Sequence, residues 1–188
     1  MRRTIIFVLV LLMASQVLVA EQEVESFSMF LGRLGYFQAS DSAFKDIYGN
    51  GMVFGGELRL GLGKTRIAGW LEGSYRARKG KFSFTGEETK VNVTAIELGA
   101  LYRILPGKIS PYAGAGIGYY MFNEDNEPMG KASQGKIGCC GAAGVSVLMG
   151  RRFVLDCRLK YSTCKMKPAD FRIDVGGLSL SLGAGVRF

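Results

Sequence analysis

The side chains best suited to chemistry are charged residues that recur within short apolar segments. They are Glu57, Arg59, Glu72, Arg76, Glu97, Asp156, Arg158 and Lys160. Two of the carboxylates, Glu57 and Glu72, could in principle act as a general acid and base. Charges of both signs can also pair with one another in a narrow interior, where a lone charge would be costly. We therefore predict an internal charge network rather than a catalytic site.

Other catalytic and ligand-binding chemistries lack the residues that they need. The chain has no histidine, so a histidine-activated serine is excluded and a zinc site is not expected. The Gly-x-Gly runs at residues 61–63 and 114–116 lie in strand-like segments with no helix following, so they do not form phosphate-binding loops. The sequence predicts a protein that is not an enzyme and that holds no metal or cofactor.

The four cysteines are Cys139, Cys140, Cys157 and Cys164. An even number in an exported chain permits disulfides, but the sequence does not define their connectivity. Adjacent Cys139 and Cys140 would point to opposite faces of a strand and so would not pair with each other. A Cys140–Cys164 bond could join neighbouring strand ends. We favour reduced cysteines that act as small apolar residues.

The N-terminal segment has the pattern of a secretory signal peptide. Arg2 and Arg3 precede an apolar run from Ile5 to Ala14, and Ala20 stands just before the polar Glu21. This order of basic, apolar and small residues predicts cleavage after Ala20. We divide the chain into a signal peptide over residues 1–20, a short N-terminal tail over residues 21–27 and one folded domain over residues 28–188.

The net positive charge of the chain favours anionic binding partners. The formal net charge is +8, which falls to about +6 once the two N-terminal arginines are removed. Such a charge would suit nucleic acid, but export argues against that partner. We expect contact with anionic lipid headgroups, with phosphates of surface polysaccharides or with an acidic partner.

The C-terminal segment shows the pattern on which the fold prediction rests. Every second residue is apolar: Leu178, Leu180, Leu182, Ala184, Val186 and Phe188. The residues between them are polar or small, so a β-strand here would have one apolar and one polar face. Seven earlier segments are also predicted strands: residues 28–39, 52–62, 66–78, 91–104, 111–122, 136–149 and 153–161. Long connections (40–51, 79–90, 123–134 and 163–177) alternate with short ones (63–65, 105–108 and 150–152).

Eight such strands predict a closed antiparallel barrel. Alternating short and long connections are typical of up-and-down transmembrane β-barrels, with short periplasmic turns and longer extracellular loops. A closed barrel also satisfies every backbone group in lipid. The charges on the polar face place that face inward and the apolar face in lipid. The first strand, whose alternation is poor, leaves its lipid-facing side open.

Two short motifs resemble those of a known family. Residues 111–118, Pro-Tyr-Ala-Gly-Ala-Gly-Ile-Gly, are similar to the Pro-Tyr-x-Gly-x-Gly-x-Gly strand of the small eight-stranded outer-membrane barrels. Ser181, Gly183, Val186 and Phe188 resemble the C-terminal signal by which such barrels are recognised and inserted. The group includes the OmpA transmembrane domain and the OmpX/Ail-like proteins.

The resemblance implies a protein of the outer membrane of a Gram-negative-type bacterium. Its expected partners are outer-membrane lipid, lipopolysaccharide, the barrel-assembly machinery and an extracellular partner bound by the loops, with no nucleic acid. We expect a structural or surface-interaction role through four extracellular loops. An eight-stranded barrel is just wide enough for its own side chains, which argues against a wide pore. The alternatives are a narrow ion-conducting channel and a soluble, secreted, lipocalin-like barrel around an apolar ligand.

Overall fold

The computed structural model describes residues 27–81, 88–126, 130–167 and 173–188. The predicted signal peptide and residues 21–26 of the predicted tail lie outside these ranges. The elements, in chain order, are β1 (Met29–Ala39), α1 (Ser42–Tyr48), β2 (Gly51–Gly61), β3 (Ile67–Lys81), β4 (Glu88–Arg103), β5 (Ile109–Asn126), β6 (Gly130–Met149), β7 (Phe153–Thr163), β8 (Lys165–Met166), β9 (Ile173–Asp174) and β10 (Gly177–Arg187). The described helix is too short and too polar to cross a membrane.

Eight of the strands form a closed barrel in the order β1-β10-β7-β6-β5-β4-β3-β2. Each pairs with its neighbours in antiparallel fashion, and β1 closes the barrel against β10 from Met29 opposite Arg187 to Ala39 opposite Gly177. This seam gives both terminal strands a partner on each side, so neither is left as an open sheet edge. The predicted eight-stranded antiparallel barrel is confirmed.

The apolar face of the strands points outward. Along β7 every second residue is exposed, and the exposed set begins with Phe153 and Leu155. On β1 the outward residues are Phe30, Leu34 and Tyr36, which settles the face that the sequence had left open. A soluble barrel would bury these side chains because their exposure to water is unfavourable. The lipocalin-like alternative, which needs them inside, is therefore disfavoured.

Aromatic side chains mark both ends of the apolar band. Tyr36, Tyr75, Tyr119 and Tyr161 are exposed near one end, and Phe30, Tyr102, Phe153 and Phe188 near the other. On β7, Phe153 and Tyr161 are separated by about 26 Å along the strand. A strand tilt of about 40° reduces that separation to about 20 Å along the barrel axis, close to the height of a lipid-facing band.

The two ends of the barrel differ in their connections. At one end, which we call the short-turn end, the hairpins turn through Gly63 and Gly150, whose φ angles of 60° and 70° suit glycine. The first residue of β1, Met29, and the last residue of β10, Arg187, also lie at this end. The opposite end, which we call the long-loop end, carries α1 and the β8–β9 hairpin. It also carries the β3–β4 and β5–β6 connections.

The predicted loops at 79–90 and 123–134 are wrong at both ends, while residues 82–87 and 127–129 lie outside the described ranges. Pairing of β3 with β4 continues to Lys81 opposite Glu88, and pairing of β5 with β6 continues to Asn126 opposite Gly130. Backbone hydrogen bonds extend these hairpins past the apolar band, where neither face needs apolar side chains. Hydrophobic alternation stops there although the strands do not. The helix α1 within the predicted 40–51 loop was also missed.

Candidate functional site

The lumen is crossed by a layer of buried ion pairs that meet at two carboxylates. Glu57 on β2 is fully buried and is shared by three guanidinium groups. It accepts hydrogen bonds from Nε of Arg33, from Nε of Arg59 at 2.5 Å and from Nη1 of Arg158 at 2.8 Å. Asp156 on β7 accepts from Arg33 at 2.8 Å and from Arg59 at 3.2 Å. Arg33 and Arg59 therefore bridge the two carboxylates.

Neutral side chains complete the coordination of Asp156. Tyr112 donates its hydroxyl to Asp156 at 2.8 Å, and Ser146 donates at 2.6 Å. Arg59 in turn donates to the Tyr112 hydroxyl at 2.8 Å, and its guanidinium carbon lies 4.1 Å from the centre of the Tyr112 ring. Every charge in this half of the layer thus has several partners, as buried charges require.

Two further carboxylates extend the network across the lumen. Glu72 accepts from Arg158 and, at 2.9 Å, from Nζ of Lys160. Lys160 also donates to Glu97, whose other oxygen accepts from the Tyr120 hydroxyl at 2.5 Å. We call the eight charged residues the ion layer: Arg33, Glu57, Arg59, Glu72, Glu97, Asp156, Arg158 and Lys160. It holds four cations and four anions.

One of the sequence-predicted charges lies outside this layer. Arg76 points into the lumen, but it donates to the backbone carbonyl of Val175 and stacks on Phe37, with 3.7 Å between the guanidinium carbon and the ring centre. The remaining seven are brought together. Arg33 was not among the predicted residues because its strand alternates poorly. Tyr112 and Tyr120 were also missed, although their glycine-rich strand leaves space for large lumenal side chains.

Glycine at position 144 makes room for one of these tyrosines. A Cβ there would lie 2.6 Å from the Tyr112 hydroxyl and 2.5 Å from the Cys157 carbonyl oxygen. The glycine therefore lets Tyr112 reach Asp156.

Apolar side chains close the lumen on both sides of the ion layer. The short-turn plug consists of Phe27, Met29, Leu31, Ala68, Trp70, Leu101, Tyr112, Cys140 and Val154. The long-loop plug consists of Phe37, Ala39, Phe44, Tyr48, Val91, Val93, Ala95, Tyr120, Phe122, Cys164, Met166 and Val175. Trp70, a large apolar residue on the otherwise polar lumenal face of β3, fills the short-turn plug.

Two connections are held into the long-loop plug by hydrogen bonds to aspartates. Asp41 caps α1 by accepting from the Phe44 amide at 3.1 Å, and its other oxygen accepts from the Asp174 amide at 3.1 Å. Asp174 accepts from the Cys164 amide at 2.8 Å. The α1 connection and the β8–β9 hairpin thus form one cap over the barrel mouth.

The cysteines make no disulfide. Cys139 and Cys157 are exposed on the outer face, whereas Cys140 and Cys164 are buried. Burial, together with nearby Asp174, raises the pKa of the Cys164 thiol to about 11, so this thiol stays protonated and unreactive at neutral pH. No group of metal-ligating residues occurs within the described ranges.

The residues of the predicted C-terminal insertion signal divide between the two faces of β10. Ser181 and Gly183 face the lumen, where Arg33 donates to the Ser181 hydroxyl at 3.5 Å. Val186 and Phe188 face outward. Their role in insertion stays a prediction.

Comparison with known proteins agrees with this geometry. A family model described as "Outer membrane protein beta-barrel domain" matches residues 5–188. The chain belongs to this family. Members of the family and the structural neighbours are Gram-negative outer-membrane proteins, and the barrel lies in that membrane. No curated protein sequence matches the chain.

Several solved barrels share the fold. Neisserial surface protein A is 18% identical with a TM-score of 0.64, covering 86% of this chain and 97% of its own. OprG from Pseudomonas aeruginosa is 14% identical with a TM-score of 0.69, covering 89% and 99%. Ail from Yersinia pestis, in complex with the heparin analogue sucrose octasulfate, is 19% identical with a TM-score of 0.54, covering 86% and 97%.

Proposed function

We propose that the protein is a non-enzymatic, non-conducting outer-membrane barrel whose long-loop end contacts molecules outside the cell. The observation that carries the proposal is the ion layer, which crosses the lumen between two apolar plugs. A permeating ion would have to separate buried ion pairs and leave their charges without partners, which is strongly unfavourable in a low-dielectric interior. It would also have to displace apolar side chains on both sides.

The exterior partner that we propose is an anionic saccharide, with the phosphates of lipopolysaccharide as its source. Lys136, Lys165 and Lys167 are exposed at the long-loop end. The Lys167 amide donates to Gln134 at 3.0 Å, and the Cys164 thiol contacts the Lys136 carbonyl oxygen at 3.6 Å, so the two segments that carry the lysines adjoin one another. We call them the lysine patch. The Ail complex with a heparin analogue is a precedent for anionic saccharide binding on this fold.

Planar-bilayer recording tests the closed lumen. We expect no conductance at low voltage from the intact protein, and intermittent conductance from Glu57→Gln, which unbalances the ion layer. Lys64→Gln, an exposed change in a short turn, is the control and should stay silent. Steady conductance from the intact protein would instead support the narrow-channel alternative.

Vesicle binding tests the lysine patch. Changing all three lysines to glutamine should weaken binding to lipopolysaccharide vesicles, and added salt should weaken the intact protein's binding similarly because exposed charges are screened. Lys64→Gln is again the control. Equal binding by the triple variant and the control would remove lipopolysaccharide as the partner.

Gel migration tests the predicted insertion signal. Unheated protein from membranes should run faster than boiled protein, and a chain lacking Phe188 should lose the fast species if the barrel-assembly machinery reads that residue. If a chain without Phe188 folds and inserts equally well, Phe188 is not part of an insertion signal.

A further inference from the structure

Beneath the cap, on the long-loop side of the ion layer, the lumen contains a cavity of about 30 Å³. A buried space of that size can hold a water molecule or a small monatomic ion. Its charged lining residues are Arg33, Glu72, Arg76, Glu97, Arg158 and Lys160, and serines supply further polar atoms. Cations outnumber carboxylates around it by four to two.

Arg76 supplies a positive charge that the ion layer does not balance. The eight residues of that layer are already neutral as a set. In the described part of the chain, Arg76 has a backbone carbonyl and an aromatic ring as partners, and its buried Nε has no hydrogen-bond partner. Because a guanidinium keeps its proton, the charge of the half-buried Arg76 persists, and an anion beside it would be stabilising.

The carboxylates near Arg76 are already occupied. Both oxygens of Glu72 accept from Arg158 and Lys160, and both oxygens of Glu97 accept from Lys160 and Tyr120. At the cap, Asp174 accepts from the backbone amides of Cys164 and Gly176. Its other oxygen accepts from the Thr163 hydroxyl at 2.8 Å, so none of the three carboxylates can turn to Arg76 without losing a hydrogen bond.

A second unpaired donor lines the same cavity. The Nε of Arg158 is buried and has no hydrogen-bond partner, although its two terminal nitrogens bind Glu57 and Glu72. Two unpaired guanidinium donors and one charge outside the neutral ion layer thus belong to residues that border one small space.

We propose that this cavity binds a halide-sized monovalent anion, chloride in the cell, as the counter-ion of Arg76. The anion would accept hydrogen bonds from guanidinium donors and balance the charge of Arg76, while the Phe37 ring and Val93 exclude bulkier anions from the space. It is a resident ion that stabilises the closed barrel, not a permeating one.

Thermal unfolding of the purified barrel in detergent tests the site, with bromide as the probe. Replacing sodium gluconate by sodium bromide at constant ionic strength should raise the unfolding midpoint in a saturable manner. Arg76→Gln should weaken the apparent bromide affinity by about tenfold or more, since it removes the charge that binds the ion. Arg66→Gln, an exposed arginine in a short turn, should respond as the unaltered protein does.

A second variant distinguishes loss of the site from loss of the fold. Ser74 lines the cavity on the same face of β3 as Arg76. Ser74→Asp would supply the missing negative charge within the chain and should abolish the bromide response in a folded barrel. In crystals grown with bromide, an anomalous peak should lie against the Arg76 guanidinium. Equal midpoints in bromide and gluconate, or an unchanged bromide response in Ser74→Asp, would overturn the proposal.

Discussion

The two plugs close the same lumen with residues of different origin. The short-turn plug is built almost entirely from strand residues such as Leu101 and Trp70, which the barrel's own hydrogen bonds hold in place. The long-loop plug adds Phe44, Met166 and other residues that lie in connections. Truncation of a residue in the short-turn plug disturbs the barrel wall. In the long-loop plug, by contrast, the residues carried by connections can detach from the barrel while its wall stays intact. We infer that the short-turn plug contributes to global stability and that the loop part of the long-loop plug opens locally.

We expect the largest loss of stability from a change in the ion layer, which lies between the two plugs. Glu57→Gln removes one negative charge that three arginines share and leaves buried cations uncompensated. We expect the free energy of unfolding, measured in urea with lipid vesicles, to fall by about 3–5 kcal/mol. A loss similar to that of Lys64→Gln would mean that the plugs alone hold the barrel.

A matched pair of truncations compares the plugs directly. Leu101 and Met166 are both almost fully buried, and truncation of either to alanine leaves a cavity. Leu101→Ala should lower the global free energy of unfolding by about 2–5 kcal/mol. Met166→Ala should lower it by less, because the cap can detach while the barrel stays closed.

Limited proteolysis of the same two variants measures local opening of the cap. Met166→Ala should speed cleavage within residues 164–176, whereas Leu101→Ala should leave that rate nearly unchanged under native conditions. Equal losses of global stability together with equal cleavage rates would contradict the assignment of different roles to the plugs.

The smallest expected effect concerns the cap alone. Asp41→Ala removes the N-cap of α1 and the acceptor for the Asp174 amide, and loss of an N-cap costs about 1 kcal/mol. We expect faster amide hydrogen exchange in α1 and the β8–β9 hairpin, with unchanged exchange in β7 and β10. Asp46→Ala, an exposed change in the same helix, is the control; faster exchange throughout the barrel would show that the cap is not an independent unit.

The sequence by itself determined the strands of the apolar band and, on every strand except the first, which face points outward. Alternation in segments such as Leu178–Phe188 is a local property that lipid on one side and charged residues on the other impose at every second position. The short turns followed from local sequence too. So did the inward orientation of Glu57, Asp156 and their charged neighbours, because a charge in the lipid layer would be too costly.

Only the tertiary structure decided which of those residues meet. Arg33 joins the ion layer because strand register sets β1 against β2, and because barrel closure brings β1 beside β10, which is distant in the sequence. Arg76 leaves the layer because the cap presents the Val175 carbonyl and because Phe37 stacks on its guanidinium. The burial of Phe44 and Met166 also depends on contacts between connections far apart in sequence. Such contacts leave no periodic signal, since they follow from packing in the closed lumen rather than from the repeat of a strand.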